Sequence, residues 1–389
     1  MAQSDAKHHS RGSAMKSDPI WSTPEDHLRK MQPDTAQLYL CPAEISRMAR
    51  RFQAGFPGLV SYAVKANPVH AVLENLVAAD LRAFDVASVP EMQAVRAVCP
   101  DAVLHYNNPV RSRSEVAAAA DMGIASASVD CAGELDKLAV LPRGTEIAVR
   151  LALPLKGAAY DFGAKFGAGP DQAVALLGQV AAMGFAPAMT FHPGTQCADA
   201  GVWAGYIRAC ADVARRAGVQ LGRLNVGGGF AAHRGVAPDL EAVFARIGAE
   251  VRAAFGPDAP ALVCEPGRAM VAEACQLATR VKSLRDDAIY LNDGIYGALA
   301  EWRDIAAHDR VRILACDGRA RRAPACPRIV FGPTCDSIDR LPDPLMLPAD
   351  LAEDDYLIFA GMGAYSHAIA TRFNGYGPDA LVTVAGFGD

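Results

Sequence analysis

A chain of 389 residues, 51% hydrophobic and 21% charged, can bury a large core as two domains or as one barrel with an appendage. Its formal net charge of −5, with no dense Lys or Arg run, argues against nucleic acid and anionic membrane surfaces as partners and leaves a small molecule. With no apolar run of membrane-spanning length, no apolar signal segment in the polar N-terminus, and ten cysteines in no Cys-x-x-Cys or zinc-type spacing, a reduced, cytoplasmic protein without a metal is expected.

Residues 1–20 are polar with scattered charge and are expected to be a disordered tail. From about residue 36, short apolar runs alternate with Ala-rich amphipathic segments, the pattern of βα units around a parallel sheet. Strands are expected over 59–66, 82–88, 102–108, 126–130, 146–153, 188–194, 223–229 and 261–267. Between them, 69–79, 90–98, 114–122, 170–183, 203–217 and 238–255 have helical periodicity and enough length for crossovers. Eight such repeats predict a (β/α)8 barrel of the TIM type within 21–275, with an N-terminal segment contributing to the domain that follows. Past Cys275 the alternation stops, and 275–284, 288–292, 311–316, 328–331, 356–359 and 381–384 read as strands joined by turns. The expected fold class is therefore α/β: the barrel, then a sandwich-like or barrel-like β domain over 276–389.

Such barrels carry their functional residues at the C-terminal ends of the strands, where Lys65, Asp85, Asn107, Arg150, His192, the glycines 227–229 and Glu265 all fall. Any one of them alone has a commoner structural reading: a solvated lysine, a capping glutamate, a satisfied histidine, a flexible Gly turn. Their convergence on one mouth favours chemistry. Three successive glycines let backbone N–H groups wrap an anion, and Arg268, after Glu265-Pro266-Gly267, can add a bidentate pair. Lys65 can capture a carbonyl as a Schiff base only when unprotonated, so a desolvated site with a depressed pKa suits it. A phosphate cradle beside an inward lysine is what pyridoxal 5′-phosphate requires. Glu265 could keep a pyridine nitrogen protonated, His192 could lie flat against the ring, and Thr195 could donate to the phosphate.

Eight motifs follow in order: Tyr-Ala-Val-Lys-Ala-Asn (62–67), Phe-Asp-Val-Ala-Ser (84–88), Lys-Phe-Gly (165–167), Gly-Gly-Gly (227–229), Glu-Pro-Gly-Arg (265–268), Asn-Asp-Gly-Ile-Tyr-Gly (292–297), Gly-Pro-Thr-Cys-Asp (332–336) and Gly-Ala-Tyr (363–365). On these the chain, from about residue 36 to its end, resembles the fold-type III pyridoxal-phosphate decarboxylases of the ornithine, lysine and diaminopimelate group, and most resembles the ornithine and lysine enzymes. The resemblance implies a head-to-tail homodimer whose active sites each draw on both subunits. It implies Lys65 as the covalent anchor, His192 stacked on the ring, Glu265 at the ring nitrogen, and Thr195, Gly228, Gly229, Gly267, Arg268 and Tyr365 around the phosphate. Asp85, Glu91 and Arg150 would surround the lysine and ring. Cys335, arriving from the partner subunit, would return a proton to the product carbon, and Asp336 would receive the distal ammonium of a basic amino acid, with Tyr296, Glu301 and Asp304 as further substrate-side candidates.

Two departures leave the substrate open: no second acidic residue aligns cleanly after Tyr296-Gly297, and His192 is followed by Pro-Gly-Thr-Gln where the family usually has Val-Gly-Ser. The implied reaction is ornithine to putrescine or lysine to cadaverine. Another diamino acid or a D-amino acid is an alternative. So is alanine-racemase-like chemistry, which typically places an arginine where Glu265 stands. A non-catalytic regulatory homologue is a further alternative, and it would have lost Lys65 or the Cys335 thiol.

Overall fold

The computed structural model describes residues 19–154, 165–304, 307–378 and 381–388; most of the tail expected to be disordered lies outside them. A first strand, β1 (Gln37–Leu40), precedes a closed barrel of parallel strands: β2 (Leu59–Ala63), β3 (Ala83–Val86), β4 (Val103–Tyr106), β5 (Ser126–Val129), β6 (Glu146–Leu151), β7 (Ala186–Phe191), β8 (Arg223–Asn225) and β9 (Ala261–Cys264). β9 closes on β2 through the pairs Leu59 with Val263 and Val60 with Cys264. Every residue of β3 is buried, because one strand face fills the barrel interior and the other lies under the outer helices.

All eight expected barrel strands are present, but several stop short of the mouth. The strand expected over 59–66 ends at Ala63, and Val64–Ala66 turns as a 3-10 helix, so Lys65 sits on a turn rather than on a strand. Likewise β8 ends at Asn225 and β9 at Cys264. Gly227 and Gly229 take φ of 70° and 81°, a left-handed backbone that ends regular pairing.

Three outer helices pin the glycine run from behind. Pro42–Gly55, Ala200–Ala217 and Leu240–Phe255 bring Phe52, Trp203 and Phe244 around Phe230, with ring centroids 5.4, 5.2 and 5.7 Å from it. Phe230 directly follows Gly229, and Trp203 Nε1 donates to the Val226 carbonyl at 3.2 Å. Aromatic pairs of this kind contribute roughly 1 kcal/mol each beyond their buried area, so the flexible residues are held at both ends.

The second sheet contains β10 (Cys275–Arg285), β11 (Ala288–Leu291), β12 (Val311–Leu314), β13 (Ala325–Phe331), β14 (Leu345–Pro348), β15 (Tyr356–Ala360) and β16 (Leu381–Thr383). Its order is β12-β15-β10-β11-β13-β14, with β1 antiparallel to β10 and parallel to β16. The sheet is mixed, since β11 and β13 also run parallel. β14 escapes sequence reading because Pro342, Pro344 and Pro348 make its segment look like a turn. Among the described residues no helix is long and apolar enough to cross a membrane.

His105 on β4 is 2% exposed, with Nδ1 2.7 Å from Ser126 Oγ. Burial, reinforced by Arg223, lowers its pKa from 6.5 to about 4. Between those values the unfolded chain binds a proton that the native chain does not, so the contribution is whole above pH 6.5 and is lost as pH falls toward 4. The loss is on the order of 3 kcal/mol. Replacing His105 by Asn is expected to flatten the acid limb of stability against pH by about one proton, measured by urea unfolding across that window; an unchanged slope contradicts a neutral buried imidazole.

Candidate active site

The residues flanking Lys65 set its turn. Fully buried Tyr62 donates its hydroxyl to the Asn67 carbonyl at 3.1 Å. Asn67 Nδ2 donates to the Gly363 carbonyl at 2.8 Å, and Tyr365 N donates to the Ala66 carbonyl at 2.7 Å. The Lys65 turn is thereby tied to 363–365, which follows β15 in the second sheet, and Tyr365 (φ 61°) joins the barrel mouth.

Lys65, Asp85, Asn107, Arg150, His192 and Glu265 line a cavity of about 210 Å³ at that mouth. Lys65 lies deep in the fold, yet its side chain is exposed to this recess. Burial disfavours its ammonium, but Asp85, Tyr365 and Glu265 outweigh burial and raise its pKa. The depressed lysine expected from desolvation alone is therefore corrected: Asp85, Tyr365 and Glu265 together reverse the sign. Burial, then Asp85, pushes Glu265 up to about 8, while Asn225 pulls it back. Asn225 and Asn107 both donate to Glu265 Oε1, and Asn225 Oδ1 also accepts from Gly227 N at 2.9 Å. Asp85 is raised by burial, against the pull of Lys65. His192 lies well below the usual imidazole range through burial and the nearby Lys65 and Arg150; its Nδ1 accepts from Gly194 N at 3.1 Å. Glu91 stands behind this group, accepting from Ala87 N at 2.7 Å.

A contiguous recess is lined by Lys65, His192, Thr195, Gly228, Gly229, Glu265, Gly267, Arg268 and Tyr365. Side chains would close it. A Cβ on Gly228 would stand 2.5 Å from the Glu265 carbonyl oxygen, and one on Gly229 2.2 Å from that of Gly194. The Arg268 guanidinium lies 4.8 Å over the Tyr365 ring. Lysine, neutral imidazole, carboxylate, bare backbone N–H groups and arginine form the donor set that fits pyridoxal phosphate.

The structure gathers the other predicted residues elsewhere. Cys335, whose thiol is exposed, and Asp336 line a cavity of about 440 Å³ that shares no residue with the Lys65 recess. Tyr296 donates its hydroxyl to Asp336 Oδ2 at 2.5 Å, which holds Asp336 below the usual carboxylate range. Asp339 clamps this loop by accepting from Ile295 N, Thr334 N and Thr334 Oγ1. Glu301 is not among the cavity residues around Cys335; it pairs with Arg268. The Asp304 side chain lies outside the described residues.

Sequence reading noted Asn107 only as a strand end and missed Asn225 and Asp339. Asn225 and Asp339 each lie within three residues of a recognised motif, which is the one signal the sequence offers for them, whereas Asn107 lies near none.

Residues 42–272 match the family model described as "Pyridoxal-dependent decarboxylase, pyridoxal binding domain". The chain is 34% identical over 328 residues to a lysine/ornithine decarboxylase of Selenomonas ruminantium, covering 82% of this chain and 81% of the relative. It is 30% identical over 381 residues to the chloroplastic ornithine decarboxylase of Nicotiana glauca, covering 91% and 85%. A solved structure of the Vibrio vulnificus lysine/ornithine decarboxylase complexed with cadaverine superposes with a TM-score of 0.78 at 26% identity, covering 93% of this chain and 98% of that one.

Gly229 and Gly144 share a left-handed backbone, with φ of 81° and 83°, but only Gly229 faces a wall; nothing lies within 4 Å of a Cβ at Gly144. Gly144→Ala is expected to cost about 1 kcal/mol of stability and Gly229→Ala clearly more, with loss of pyridoxal phosphate binding. Urea unfolding and the cofactor's visible absorbance check this; equal costs would remove the steric account of the cradle.

Proposed function

We propose a reaction for this chain, which belongs to the pyridoxal-dependent decarboxylases: removal of the α-carboxylate of a basic amino acid, ornithine to putrescine or lysine to cadaverine. The observation that carries this reading is the convergence of Lys65, His192 and Glu265 with Gly228, Gly229, Gly267 and Arg268 at one barrel mouth. The substrate class rests on the relatives named for lysine and ornithine, and on Asp336 as an acceptor for a distal ammonium.

Pyridoxal phosphate, when bound, supplies a ring that delocalises the electron pair left when carbon dioxide departs. The chain's own groups hold, orient and move protons. Lys65 Nζ would anchor the cofactor, and must lose the proton that Asp85 and Glu265 favour. Glu265 would meet the ring nitrogen; Asn107 and Asn225 occupy its Oε1 and leave Oε2 for that contact. His192, kept neutral, adds a flat face without a further cation. Thr195, Gly228, Gly229, Gly267, Arg268 and Tyr365 would hold the phosphate, with Arg150 and Glu91 around the lysine and ring.

Overall, one proton is consumed and carbon dioxide is released. We assign that proton's delivery to Cys335 Sγ, at the carbon that lost its carboxylate. Because Cys335 and Asp336 share no cavity residue with Lys65 in this chain, they are assigned to the site of a second subunit in a head-to-tail homodimer. The cofactor unit is taken as 21–275 and the β domain as 276–389, in a cytoplasmic enzyme.

Purified protein with pyridoxal phosphate is expected to release carbon dioxide from L-ornithine or L-lysine; silence toward every basic amino acid sinks the reading. Lys65→Ala should lose both cofactor absorbance and turnover, whereas Cys335→Ala should keep the absorbance and lose about 10²–10⁴-fold in kcat. Mixing the two inactive variants should restore activity that neither has alone. A mixture that stays inactive contradicts the shared site.

A further inference from the structure

Two buried arginines from successive barrel loops meet one carboxylate from the second domain. Arg268 follows β9, and Arg234 lies on the loop after β8. Both pair with Glu301, on the short helix Ala300–Asp304: Arg268 directly, Arg234 at 3.6 Å between Nη2 and Oε1. All three side chains are less than a tenth exposed. Arg234 also donates to the Gly361 carbonyl at 3.2 Å. The neighbouring Arg310 does not share this carboxylate, because it forms its own two-pronged pair with Glu273 at 2.8 and 2.7 Å and donates to the His233 carbonyl. Glu301 thus stands between two buried guanidinium groups, and Glu273 also supports the charge of Arg234. Of the two, Arg268 faces the glycine cradle.

We propose that Glu301 is a positioning residue for the phosphate end of the cofactor site, holding Arg268 from the second domain and setting how strongly the cradle attracts a phosphate. This rests on the reading that Arg268 and the glycines receive that phosphate. Glu301 keeps Arg268 placed over Tyr365 at the cost of repelling the anion that Arg268 must also bind. Arg234 tempers the repulsion by drawing part of the Glu301 charge to itself. The role differs from the substrate-side one expected from sequence, because Glu301 lies against the phosphate arginine and not in the cavity of Cys335 and Asp336.

The test uses the full chain, released from its cofactor by dialysis, and measures dissociation constants for pyridoxal phosphate, pyridoxal without the phosphate, and inorganic phosphate as competitor. E301Q is expected to bind pyridoxal phosphate and inorganic phosphate about tenfold tighter, with pyridoxal unchanged. Its melting temperature should fall without phosphate and recover when phosphate is added, since an anion then takes the place of the Glu301 charge beside the two guanidinium groups. R234Q should act in the opposite direction, weakening both phosphate ligands, and it keeps the proposal testable if E301Q does not fold. The proposal is overturned if E301Q leaves both phosphate ligands within twofold of wild type, if it shifts pyridoxal equally, if it raises only the substrate KM, or if R234Q tightens phosphate. R268A separates the two levels: if it leaves phosphate affinity intact, the cradle itself has been misassigned. If it weakens phosphate while E301Q is neutral, only the role of Glu301 falls.

Discussion

Four titratable groups meet at one low-dielectric mouth: the Lys65 ammonium, the Arg150 guanidinium and the carboxyl groups of Asp85 and Glu265. Burial disfavours the charged form of each, and groups of opposite sign offset that penalty, while Asp85 adds to it at Glu265. Burial weakens Arg150 while Glu265 and Asp85 support it, and the same two acids, with Tyr365, override the burial penalty on Lys65. Taking away Asp85 would remove a counter-charge from both Lys65 and Arg150, a larger loss at a desolvated site than at an exposed ion pair. The balance also explains why His192 must be neutral, since a third cation would face Lys65 and Arg150.

Holding such a cluster requires a backbone that cannot drift. The barrel meets this need by making the mouth from turns clamped at both ends. Phe230 anchors the far side of the glycine run among three aromatic rings, while Gly227 N is held by Asn225 and Glu265 N donates to the Gly227 carbonyl at 2.8 Å. Asn67 does the same for Lys65 by reaching across to Gly363. The second domain therefore reaches the barrel mouth, since it brings Tyr365 to the recess of the glycine run and Glu301 to Arg268.

The short segment from Tyr296 to Glu301 touches two functional regions. Tyr296 holds Asp336 in the cavity of Cys335, and Glu301 holds Arg268 at the Lys65 recess. Two cavities that share no residue are thus joined through one stretch of backbone, itself fastened by Asp339 and by the Ala298 N–H donated to Asp293 at 2.9 Å.

The sequence by itself determined the barrel, its strand count and the cofactor class, and it singled out Lys65 and the glycine run at the barrel mouth. These are written in local patterns: apolar runs with βα spacing, glycine where backbone must approach an anion, and motifs in fixed order. Only the tertiary structure decided quantities that depend on which remote groups become neighbours. It showed Lys65 held above the ordinary lysine range, because Asp85 and Glu265 come from other strands. It put Asn225 and Asn107 on one oxygen of Glu265, set Cys335 and Asp336 in a cavity of their own, and turned Glu301 toward Arg268. The reason is physical: periodicity and turn chemistry act over a few residues, whereas charge, desolvation and hydrogen-bond satisfaction act over a few ångströms between residues far apart in the chain.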